Sequence, residues 1–85
     1  MRILYTPHFI RQYNSLPEAL KEDVRERIEL FRSNPEHPSL RVHKLRGELH
    51  EEYSLRVNYR YRIIFCYDAP GVAALLEVGN HSVYE

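Results

Sequence analysis

Two groups of side chains in this sequence carry chemistry that a phosphate or a carboxylate would need. The first is a set of guanidiniums at Arg56, Arg60 and Arg62; the second is the pair His81 and Tyr84, which follows the apolar run LLEVG. In YSLRVN, Tyr53, Leu55 and Val57 alternate with Ser54, Arg56 and Asn58, and in YRYRIIF, Tyr59, Tyr61, Ile63 and Phe65 alternate with Arg60, Arg62 and Ile64. A period of two puts Leu55, Val57, Ile63 and Phe65 on one face of a sheet and Ser54, Arg56, Arg60 and Arg62 on the other. Arginine presents a planar fork that fits either anion. The competing reading is a solvated face with cross-strand Arg–Glu pairs, Arg62 bridging to Glu77. His81 is either a proton donor or an ordinary loop residue, and Tyr84 either a stacking ring or an edge-packing one.

The elements that must position these groups follow from the rest of the pattern. RILYT, closed by Thr6 and Pro7, suits an edge strand leading into a helix. In PHFIRQYNSL, Phe9, Ile10, Tyr13 and Leu16 share a face while His8, Arg11 and Gln12 face away. Ser15 and Glu18 are spaced as a capping box for a second helix over 17–33, with Leu20, Val24, Ile28 and Phe31 as its apolar stripe. SNPEHPS breaks the helix, the two strands follow, DAPG turns the chain, and VAALLEVG supplies a last strand. The expectation is an α+β domain over 1–85 with the order β-α-α-β-β-β, an antiparallel sheet covered on one face by a helical hairpin.

Composition narrows the partners. Twelve Lys and Arg balance twelve Asp and Glu across 85 residues, which argues against an indiscriminate polyanion binder. Residues 41–62 nevertheless hold six basic side chains against three acidic ones, so a basic site is local. Cys66 is the one cysteine, which excludes an internal disulfide and suits a reducing, cytoplasmic setting; its apolar strand favours a buried thiol. His8, His37 and His50 are expected to be solvated, and zinc held by His37, His43, His50 and His81 is disfavoured because no short ligand-pair spacing supports it.

Three motifs together resemble one family: HKLRG before the hairpin, YSLRV and YRYRIIF within it, and VGNHSVY after the last strand. The sequence is similar over nearly its whole length to the RelE/ParE superfamily of toxins from type II toxin–antitoxin pairs, whose fold has the β-α-α-β-β-β order. RelE-like members cut messenger RNA in the ribosomal A site; ParE-like members inhibit DNA gyrase. The resemblance implies that Arg62 stabilises the transition-state phosphate and that Arg56 stands where RelE has a catalytic Lys. It implies that His81 is a general acid, that Tyr84 stacks on a base or orients the site, and that His43 is a general base as in YafQ-like toxins. Glu52 is the alternative base. Lys44, Arg46, Ser54 and Arg60 are expected to bind RNA.

The sequence departs from RelE in having Ser54 at the position of a second Lys and in lacking the C-terminal helix. The implied activity is that of a metal-independent endoribonuclease, an mRNA interferase acting on the ribosome to inhibit translation, with no cofactor. The 2′-hydroxyl attacks the adjacent phosphorus while a base takes its proton, cations hold the added charge and an acid protonates the 5′ leaving oxygen. The implied partners are a cognate antitoxin protein, the ribosome and mRNA. Gyrase inhibition without nuclease activity is the alternative.

Overall fold

A computed structural model of the chain describes residues 1–45 and 51–80. Five strands, β1 (Arg2–Tyr5), β2 (His43–Lys44), β3 (Tyr53–Arg56), β4 (Tyr61–Ala69) and β5 (Val72–Asn80), form one sheet in the order β1-β5-β4-β3-β2. Two helices, α1 (Pro7–Asn14) and α2 (Glu18–Ser33), follow β1. The expected α+β architecture with two packed helices is present. The sheet is mixed, however, because β1 pairs parallel with β5, Arg2 opposite Val72 through Tyr5 opposite Leu75. The two-residue edge strand β2 is a further addition to the expected order.

Local chemistry accounts for the helix boundaries. Thr6 adopts an extended conformation and its Oγ1 accepts from the Phe9 N–H at 3.2 Å, while the same hydroxyl donates to the Leu75 carbonyl at 2.8 Å. One side chain thus caps α1 and ties it to the middle of β5. Pro7 occupies the first helical position, where its missing N–H is no loss. Ser15 closes α1 instead of opening α2: its hydroxyl donates to the Gln12 carbonyl at 2.7 Å. The expected capping box is therefore not formed, and the Pro17 carbonyl accepts from Leu20 and Lys21 at the start of α2.

The α2 stripe buries Val24, Ile28 and Phe31 against Leu55, Ile63, Phe65, Leu75 and Val78 of the sheet. Phe31 and Phe65 lie with ring centroids 4.6 Å apart. Burying each such side chain contributes about 1.5–3 kcal/mol, so this face holds the domain together. Gln12, expected to face away, turns inward. Its Oε1 accepts from the Val78 N–H at 2.8 Å and so serves the part of β5 that extends past β1. Ile10, expected on the packed face, is exposed. Gly71, at φ 75°, makes the β4–β5 turn in a conformation that a side chain would oppose.

Candidate functional site

The helix-free face of the sheet is defined by register. Ser54 faces Ile64, and Arg56 faces Arg62, on β3 and β4. Directly opposed residues share a face, so the two guanidiniums stand side by side across the strand pair. Both residues are half-buried, and Ser54 and Ile64 beside them are only 2% and 1% exposed. Ser54 therefore lies in the floor of this face, with little of it open to solvent. Among the described residues no carboxylate forms an ion pair with Arg41, Arg56, Arg60 or Arg62. Glu77 faces Ile64 and lies 3.4 Å from His8, so the cross-strand bridge to Arg62 is not made.

The hairpin itself holds Arg62. Asn58 accepts on its side-chain Oδ1 from the N–H groups of Arg60 and Tyr61, at 2.8 and 2.9 Å, and this closes the turn. Its carbonyl then accepts from Arg62 Nη1 at 2.8 Å. Burial, then the charge of Arg56, then that of Arg41, push the Arg62 guanidinium below its ordinary value. These causes act against the charged form, so the fold holds a cation where it is disfavoured. An anion between the arginines would relieve that repulsion.

His43 is exposed on β2 and faces Ser54, which puts it on the arginine side of the sheet. Its Nδ1 lies 3.1 Å from the Arg41 carbonyl. A carbonyl only accepts, so Nδ1 carries the proton and Nε2 of the neutral ring keeps its lone pair. A base needs that tautomer. Glu52 is half-buried just before β3.

The remaining expected residues separate. Lys44 faces Tyr53, whose ring stacks on the core residue Phe65, so the pleat turns it to the other side. There its ammonium pairs with Glu51 at 3.0 Å, which raises its pKa by hydrogen bonding and charge. Arg60 sits in the turn before β4 begins, outside the alternation that was to place it beside Arg62, and its guanidinium lies 5.6 Å from the Tyr59 ring centroid. Tyr59 is 70% exposed at the tip. His37 is half-buried and not simply solvated: Nδ1 accepts from the Ser39 N–H at 3.1 Å. Cys66 is half-buried, and burial, followed by Asp68 and Glu52, pushes its thiol up. Arg46, His81 and Tyr84, with His50 and Glu48, lie outside the described residues.

Arg27, to which no role is given above, ties the site together. Its Nε donates to the Val57 carbonyl at 3.0 Å and its Nη1 to Ser39 Oγ at 2.9 Å, joining α2 to the hairpin and to the short 3₁₀ turn Pro38–Leu40. Nothing in helical periodicity marks one Arg among the four basic residues of this helix for that task. Among the described residues no three His, Cys, Asp or Glu side chains cluster as metal ligands, and no helix is long and apolar enough to cross a membrane.

Two helices packed on a mixed five-stranded sheet match the fold of RelE-like toxin structures. The structure is similar to RelE in the archaeal RelE–RelB complex from Pyrococcus horikoshii OT3, at a TM-score of 0.74 and 22% identity, covering 93% of this chain and 92% of that one. It is similar to YafQ from E. coli strain BL21(DE3), at 0.77 and 15% identity over 98% and 97% of the two chains. It also resembles a chain of the toxin–antitoxin complex RelBE2 from Mycobacterium tuberculosis, at 0.72 and 24% identity over 94% and 96%. No curated protein sequence matches. The family model for the RelE-like toxin of type II toxin–antitoxin system HigB matches residues 10–81, and the chain belongs to this HigB-like toxin family.

Proposed function

We propose that this toxin is a ribosome-dependent endoribonuclease that cleaves mRNA in the A site without a metal ion. The observation that carries the reading is the register pair Arg56–Arg62, two half-buried guanidiniums with no carboxylate ion pair among the described residues. Cations held together against their own repulsion are preorganised for the extra charge of a pentavalent phosphorus. His43 Nε2 takes the proton of the attacking 2′-hydroxyl, and the oxygen closes on phosphorus to give a 2′,3′-cyclic phosphate. His81 gives a proton to the departing 5′ oxygen, and Tyr84 stacks on a base; these two roles come from the resemblance. Each proton taken at the 2′ side is matched by one given at the 5′ side.

A formal charge of zero holds free RNA weakly, so the ribosome supplies the positioning that brings the 2′-hydroxyl in line. Control falls to a cognate antitoxin that covers the arginine face. The reading is supported by the family and by structural neighbours whose own descriptions name toxin–antitoxin complexes. The deciding experiment supplies purified toxin to translating ribosomes and, separately, to gyrase. Cleaved ribosome-bound mRNA with cyclic-phosphate ends and unaffected supercoiling is the expected result. Intact mRNA with inhibited supercoiling would transfer the protein to the gyrase-inhibiting class.

A further inference from the structure

Arg41 enters the site so far only as a charge acting on Arg62 and a carbonyl for His43. Its backbone is left-handed, at φ 47° and ψ 45°, and no other described non-glycine residue has a positive φ. An L-residue there brings its Cβ against the neighbouring carbonyl, which is why glycine or asparagine usually ends a helix in this way. A long cation in such a position suggests that its side chain, and not the turn, requires it.

Neighbouring contacts show where the residue stands. Arg41 lies two residues before β2, outside the paired strands, and its carbonyl is bonded by the ring of His43, which faces Ser54 on the arginine side. Arg56 faces Arg62, and the charges of Arg56 and Arg41 both act on the Arg62 guanidinium. The backbone of Arg41 is held on both sides: its N–H donates to the Pro38 carbonyl at 3.1 Å and its carbonyl accepts from His43 Nδ1 at 3.1 Å. The Arg27–Ser39 bond fixes the turn behind it. Arg41 is exposed, and among the described residues no carboxylate forms an ion pair with it.

We propose that Arg41 is a third cation for the RNA, holding the phosphate next to the one gripped by Arg56 and Arg62. The proposal rests on the RNA-cleaving reading. A single phosphate is served by two forks, whereas a third cation beside them suits the next phosphate of the strand.

Arg41→Gly separates the side chain from the turn, because glycine relieves the left-handed backbone while removing the guanidinium. The melting temperature should be equal or higher. For ribosome-bound mRNA, kcat/KM should fall about tenfold, chiefly through KM, as for loss of one charged contact. With a short single-stranded RNA at low salt, the slope of log affinity against log salt should be shallower by about 0.7, and Arg41→Lys should keep the original slope. Unchanged kcat/KM and slope in Arg41→Gly would overturn the proposal, as would a loss of binding that merely follows a lowered melting temperature. If the wild type cleaves no ribosome-bound mRNA, the RNA-cleaving reading fails first, and the oligonucleotide slope still decides Arg41: an unchanged slope overturns it.

Discussion

Arg62→Gln tests whether the fold maintains a cation at its own cost. The substitution keeps an N–H donor near the Asn58 carbonyl but removes the charge. A charge-assisted bond contributes about 1.5–3 kcal/mol and a neutral one about 0.5–1.5, so roughly 1 kcal/mol of bonding is lost. On the other side stand burial and the charges of Arg56 and Arg41, all of which disfavour the charged form of Arg62. The sign is fixed by that direction: a cation whose pKa is lowered in the fold destabilises the fold when charged, and removing it returns that energy. The two terms oppose each other, so any loss of stability is no more than about 1 kcal/mol. In a domain of this length that is a fall in melting temperature of no more than about 8 °C. Cleavage should fall far more, because losing one preorganised donor to developing charge costs about 2.7–4 kcal/mol, or 100- to 1,000-fold. Thermal melting followed by circular dichroism and primer extension on ribosome-bound mRNA read the two quantities separately. Arg62→Lys keeps the charge and loses the fork, and should also be slow. A Gln variant that cleaves like the wild type, or one whose lost activity is accounted for by unfolding, would refute the reasoning.

Three further outcomes follow from the same geometry. His43→Ala should slow cleavage by about 100- to 10,000-fold while lowering the urea midpoint only slightly, since the exposed ring gives up one hydrogen bond to the Arg41 carbonyl. Gln12→Ala leaves the Val78 N–H without its acceptor and should cost about 1–3 kcal/mol in urea denaturation, whereas Gln12→Glu, which still accepts, should recover most of it. Cys66 has a raised pKa, so the neutral thiol is favoured in the fold, and that contribution is present below the unfolded value and lost as pH rises through the folded one. Alkylation at pH 8, followed by mass spectrometry, should therefore be severalfold slower in the native protein than in denaturant.

What the sequence made legible is what periodicity can carry. The α2 stripe and the inward set Leu55, Val57, Ile63 and Phe65 are buried as their spacing requires, and the Arg56–Arg62 pair follows from the same alternation. Arg60 escaped because the Asn58 side chain closes a turn at a point where the strand pattern continues unbroken in letters. Gln12 escaped for a different reason: it is polar and points inward to satisfy a backbone donor 66 residues away, a demand that no local pattern records. The parallel pairing of β1 with β5 is likewise non-local. Lys44 and Arg41 were legible as charges but not as positions, since β2 is two residues long and its register is set by β3.

That pairing bears on when the toxin comes into being. β5 lies between β1 and β4 in the sheet, yet it is the last of these elements to be synthesised. Until Val72–Asn80 has left the ribosome, β1 has no strand to join, Thr6 has no Leu75 carbonyl to bond, and Gln12 has no Val78 N–H to receive. The helices are then amphipathic segments without half of their core, and contacts of such long sequence separation form late and together. A nascent chain accordingly lacks its folded sheet through most of its own translation, and the domain closes only when its last described strand is in place.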